Sequence, residues 1–238
     1  MTSIRAAEAT ASAELTERTA QLYDAKREVH YCKPLLRGWS HLIWFALSLV
    51  IGPLTIALTS GTTRIAAVSV YVVSVSTLFG TSAVYHRGNW SAEWMRRLQR
   101  LDHAMIFLLI AGTATPAFLV AVHGTYGLIG LGVMWTLALA AIVIHLAWMS
   151  APERVMGAAF IGLGLVAGLA IPAVWINAGL AAAVLMLVGG GLYVVGAVSY
   201  HRRRPDPYPT AFGYHEVFHA YVCAAATCQY IAIAVFIA

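Results

Sequence analysis

Long apolar runs dominate the chain and alternate with short polar joints, after a mostly polar opening of 37 residues. Seven runs fill a window of about 19 residues at transmembrane hydrophobicity. They are approximately Trp39 to Thr59, Ile65 to Tyr85, Leu101 to Val122, Gly127 to Trp148, Val155 to Ile176, Ala178 to Ser199 and Tyr214 to Ala238. A helix needs about 20 apolar residues to cross a hydrocarbon core of roughly 30 Å, so each run predicts one span. The joints carry turn formers: Ser60-Gly61-Thr62-Thr63-Arg64, His123-Gly124-Thr125-Tyr126, and Arg202 to Pro209. Short joints make consecutive helices antiparallel neighbours. Gly164 and Gly168, four apart, and the run Gly189 to Gly191 suit close approach of helices in lipid. The expected fold is all-α, a polytopic seven-helix membrane bundle over residues 38–238, behind a charged, partly helical tail, 1–37, with no motif of its own.

Composition makes lipid the workable solvent. Hydrophobic residues are 60% of the chain and charged residues 11%, with a mean hydropathy of +0.75. Soluble domains carry roughly 45–50% and about 25%, so an ordinary soluble globule is excluded. Position then gives the charge a meaning. With the N-terminus cytoplasmic, the inner side takes Arg5, Arg18, Lys26, Arg27, Lys33, Arg37, Arg87, Arg96, Arg97, Arg100, Arg154, Arg202, Arg203 and Arg204, which is 14 of the 15 Lys and Arg. The outer side takes Arg64 alone. The positive-inside rule therefore selects a cytoplasmic N-terminus and, after seven spans, an outside C-terminus at Ala238. The net charge of +5 becomes a topology signal and a contact for anionic head groups of membrane lipids at the cytoplasmic face. No basic patch interleaved with aromatics suggests a nucleic-acid partner. The opening residues include no apolar core of a secretory leader, so the N-terminus is expected to stay where it is made and the chain to reside in the cell membrane. Cys32, Cys223 and Cys228 are odd in number, form no C-x-x-C pair and read as packing residues.

An ionisable group at the bilayer centre costs about 2.5–3.5 kcal/mol, so each one in or beside a span needs a reason. These groups are His41 at the start of the first run, His86 at the end of the second, Asp102 and His103 at the start of the third, His145 near the end of the fourth, and His215, Glu216 and His219 in the first turns of the seventh. In the expected topology all fall at cytoplasmic helix ends. His215 and His219 are four apart, which puts both imidazoles on one helix face within reach of one metal ion. Ser82 and His86 repeat that spacing on the second run. A third imidazole from His86 completes a three-histidine set with a fourth tetrahedral position left for water, the arrangement of catalytic zinc. Zinc is preferred over magnesium or calcium because imidazole, not carboxylate oxygen, dominates the cluster. Asp102 is the natural partner for that water or for a ligand imidazole. His30, His41, His103, His123, His145 and His201 read individually as capped or snorkelling interface residues.

His215-Glu216-Val217-Phe218-His219 also fits H-E-x-x-H, in which the glutamate is the general base of a zinc protease. No further ligand follows on a later span, and Glu216 lies about 100° around the helix from His215, which allows it to face the cytoplasm instead. Taken together, Lys33-Pro34-Leu35-Leu36-Arg37-Gly38-Trp39-Ser40-His41, Ser82-Ala83-Val84-Tyr85-His86, Leu101-Asp102-His103 with Ala111-Gly112-Thr113-Ala114-Thr115-Pro116, and the Glu216 pentapeptide resemble the haemolysin III family. That family is the bacterial branch of the progestin and adipoQ receptor group. The resemblance runs from residue 33 onward and implies His86, His215 and His219 as zinc ligands near the cytoplasmic face, with Asp102 and Ser82 behind them. It departs at Tyr214, where the receptor branch has Ser. The group is also similar to alkaline ceramidases.

The expected function is hydrolysis of a lipid amide or ester by a zinc-activated water, with Asp102 or Glu216 taking the proton and Ser82 orienting the water or the oxyanion. The alternatives are a non-enzymatic regulator or receptor stabilised by zinc, the intramembrane protease, and a pore-forming haemolysin. The last is disfavoured because the spans lack a polar stripe running from face to face.

Overall fold

The computed structural model describes residues 21–24, 29–148 and 152–238, with side chains from Lys33 onward except those of 153 and 154. The tail basics Arg5, Arg18, Lys26 and Arg27 lie outside the described residues, as does the side chain of Arg154. In the tail, β1 (Gln21–Asp24) pairs antiparallel with β2 (Val29–Cys32), Gln21 opposite Cys32. Residues 21–24 and 29–32 of the tail are thus extended, and the rest of the tail before Lys33 lies outside the described residues.

The bundle follows. It comprises α1 (Trp39–Leu58), α2 (Thr62–Arg87), α3 (Ala92–Pro116), α4 (Gly124–Ala147), α5 (Glu153–Gly168), α6 (Ile171–Ala178), α7 (Leu180–Arg202) and α8 (Tyr214–Ile231). The third and last spans run on through π-helical turns, Ala117–Val122 and Ala232–Ile237. Among the described residues, seven spans are long and apolar enough to cross a membrane, with α5 and α6 together making the fifth. The chain is thus a multi-pass membrane protein built of helices.

Two spans differ from expectation, each for a local reason. The third helix begins at Ala92, nine residues before the apolar run, because Ser91 caps it by accepting from the Trp94 backbone N–H. Its first turns are amphipathic and exposed, and Glu93 pairs with Arg97 one turn on. The fifth span is broken at Leu169 and Ala170. Pro172 lacks a backbone N–H, and its ring would strike the Gly168 carbonyl in a continuous helix. The chain closes two tighter turns instead, Leu169 N–H to Val166 O and Ala170 N–H to Ala167 O, both 3.2 Å.

The interior is uneven. Within the apolar windows 56% of α2 and 61% of the third span are buried, against 17% for α1, α4 and the fifth span. α2 and α3 are therefore the inner helices, and Tyr71, Phe79 and Phe107 fill the space between them and their neighbours. Small residues admit this contact where the sequence did not point: a Cβ on Gly112 would strike the Ser74 side chain. Gly189 approaches the Ala225 carbonyl of α8, 3.1 Å from a built Cβ, whereas Gly164, Gly168, Gly190 and Gly191 face open space within 4 Å. Of the expected packing glycines, only Gly189 packs.

Candidate metal centre

The site is assembled at the end of the bundle where Lys33, Arg37, Arg87 and Arg202 to Arg204 gather. Arg64 lies at the other end, where its Nη1 donates to the Ala238 carbonyl at 3.3 Å. Three helices supply the central residues: Ser82 and His86 from the last turns of α2, Asp102 from α3, and His215 and His219 from the first turns of α8. Because α3 starts at Ala92, Asp102 stands well inside its helix and not in the first turn.

Seen from the ring nitrogens, His86, His215 and His219 offer ligand atoms that all lie within 4.8 Å of one another. The Nε2 atoms of His86 and His215 are 3.3 Å apart. Two nitrogens that share a tetrahedral zinc at 2.0–2.1 Å stand about 3.4 Å apart, so this edge already has the span such an ion needs. The rings meet nearly edge to face, with centroids 4.6 to 4.9 Å apart, so their nitrogens converge instead of stacking. His219 Nδ1 is buried without a hydrogen-bond partner. An all-imidazole donor set with an orphaned nitrogen fits a metal ion, and the chemistry of the donors is that of a borderline-soft one.

Around the three imidazoles stand the remaining polar groups. Asp102 Oδ2 is 3.8 Å from His86 Nε2, in partly buried surroundings. Ser82 Oγ lies 2.8 Å from His41 Nδ1. His41 was expected at the interface as a snorkelling residue; it is instead 3% exposed and stacked flat on His219, with centroids 3.7 Å apart. Sequence could not separate the two readings, because a histidine one turn into a span has the same spacing either way.

Glu216 is a correction. It does not face the cytoplasm, being 3% exposed. Its carboxylate accepts from the Arg37 guanidinium and from the Gly213 backbone N–H at 2.9 Å, which caps α8. Glu216 is thus engaged by two donors, and Asp102 is the carboxylate that stands 3.8 Å from an imidazole of the set. The segment before α1 is fastened to the same place, with Leu35 and Leu36 N–H donating to the Thr210 and Ala211 carbonyls at 3.1 Å. Gly38, at φ +77°, lets the chain turn over the site, since a Cβ there would lie 2.6 Å from that of His86. Burial, then the charges of Arg87 and Arg37, pull the Lys33 ammonium below its ordinary pKa. Cations crowded at this mouth favour an anionic neighbour.

The family described as haemolysin-III related matches residues 29–230. Hemolysin-3 of Bacillus cereus is 32% identical over 136 residues, 57% of this chain and 62% of the relative. A Hemolysin-3 homolog of Bacillus subtilis (strain 168) is 30% identical over 125 residues, 52% of this chain and 56% of the relative. The matched stretch thus spans less than two thirds of either relative.

Proposed function

The chain belongs to the haemolysin III family, and from that premise we propose that it is a zinc-dependent hydrolase of lipid amide or ester bonds, ceramidase-like, working near the cytoplasmic face of the cell membrane and so adjusting its lipid composition. One observation carries the reading: a carboxylate that is not among the three converging imidazoles stands 3.8 Å from one of them. A purely structural ion would be closed by a fourth protein ligand; three ligands beside a free carboxylate suit a site that keeps a position open.

His86, His215 and His219 would hold the ion. When bound, zinc lowers the pKa of a coordinated water towards about 7 and polarises a carbonyl. Asp102 takes the proton of the attacking water at its carboxylate and returns it to the departing amine or alcohol. Ser82, four residues before His86 on α2, orients the water or the oxyanion. The cations at the mouth, Lys33 and Arg87, would hold the head group of a neighbouring anionic lipid, and the membrane-spanning walls favour substrates with acyl chains.

Purified protein loaded with zinc is expected to cleave ceramide-like or ester lipids in mixed micelles. Asp102→Asn is expected to keep its zinc and lose turnover by about 100-fold or more, in the range of a lost general base. His215→Ala is expected to lose both. Zinc-loaded wild type that cleaves no such lipid would sink the reading.

A further inference from the structure

The two helix ends that carry the imidazoles are bridged by one short strap of chain, residues 33–38. Its last residue rests on α2, where the backbone of Gly38 leaves only 2.6 Å between a built Cβ and that of His86. Its middle rests on the α7–α8 loop through the two backbone bonds from Leu35 and Leu36 to Thr210 and Ala211. Between these points Arg37 turns inward and pairs with Glu216, which stands between His215 and His219 on the first turn of α8. With the strap in place, His86 and His219 are 6% and 2% exposed. Ligands this far from water exchange an ion only when part of their cover moves.

The strap is the part of that cover with the weakest hold. Leu35 and Leu36 are 74% and 48% exposed, so the two side chains best able to anchor it do not. Of its apolar side chains only that of Pro34 is buried. Two backbone hydrogen bonds and one ion pair fasten it to α8 and the loop before it. By contrast, α2, α3 and α8 share a core of buried side chains that includes Phe79, Phe107 and Val222. A segment with little buried apolar surface opens locally at a small part of the cost of unfolding such a core. Gly38, at φ +77°, joins the strap to α1 and can take up the backbone rotation that opening needs. We propose that residues 33–38 are the gate of the metal centre, closed in this structure, and that the ion enters and leaves when the strap parts from Thr210 and Ala211 about Gly38.

The gate rests on the three imidazoles binding a metal, as the zinc reading has it, and on no assumption about turnover. Cobalt(II) is loaded into the purified full-length protein in detergent, and its loss to excess chelator is followed through its visible bands. Leu35→Pro deletes one strap donor at an exposed residue and leaves Arg37, Glu216 and every imidazole in place. It is expected to bind cobalt at wild-type stoichiometry with wild-type bands, and to release it about 2- to 10-fold faster, the range that one net hydrogen bond supplies. Leu35→Cys with Thr210→Cys, both at exposed positions and in a background lacking Cys32, Cys223 and Cys228, can be joined by a short bis-maleimide. Joining is expected to slow release about 10-fold or more, because local opening is then blocked, while each single-cysteine variant capped with a simple maleimide keeps the wild-type rate. Should Leu35→Pro fail to fold, the joined pair still decides. Equal release from joined and unjoined protein, a wild-type rate in folded Leu35→Pro, or two cysteines that the bis-maleimide does not join would each overturn the gate while leaving the metal centre standing. Wild type that takes up no cobalt would overturn the metal centre and the gate with it.

Discussion

Arg37 and Glu216 meet across 179 positions of sequence and are both nearly solvent-free. Removing one partner of such a pair strands the other charge, which costs about 3–5 kcal/mol. Glu216→Ala is accordingly expected to lower the thermal unfolding midpoint in detergent strongly, while the folded fraction keeps its full metal content. Loss of metal at unchanged stability would mean instead that Glu216 serves the ion. The pair also shows where sequence stopped being legible at this scale. His86, His215, His219, Asp102 and Ser82 could be read together because helical spacing and a common depth are visible along the chain. The partners of Glu216 and His41 are not, since a hydrogen bond to Arg37 or a stack on His219 exists only once α1, α2 and α8 are side by side.

Among the helices, the span count was legible because about 20 apolar residues leave few alternatives in lipid. The ends and breaks were less so. Hydropathy alone hides the polar first turns of α3, although Ser91 and Glu93 carry an ordinary helix-start signal, and it runs straight through Pro172. Glycines were the least legible, since which face of a helix meets a neighbour is a tertiary fact. A methyl at Gly112 has nowhere to go between α2 and α3, so Gly112→Ala is expected to cost about 1–3 kcal/mol. Gly164→Ala, in open space, is expected to gain about 0.5–1 kcal/mol from lower backbone entropy in the unfolded chain. Thermal melts of the two variants in one detergent compare them directly; equal effects would contradict the packing described for α2 and α3.

For the molecule as a whole, charge assigns the two ends. Single cysteines at exposed Thr62 and Ser91, in a background lacking Cys32, Cys223 and Cys228, should answer oppositely to a membrane-impermeant maleimide on intact cells. Thr62 is expected to be labelled and Ser91 to be protected until the membrane is opened, as the positive-inside rule requires; the reverse pattern would invert the topology. The site sits at the Ser91 end, on the most buried helices, while α4, α5 and α6 are mostly exposed outside the bundle interior. Lipid accepts almost any residue of suitable hydropathy, whereas α2, α3 and α8 must fit one another. Lineages sharing this architecture are thus free to drift over much of their length while a few side chains stay fixed. Decay of the chemistry in one of them would register first at Ser82, His86 or Asp102, with the hydropathy profile unchanged.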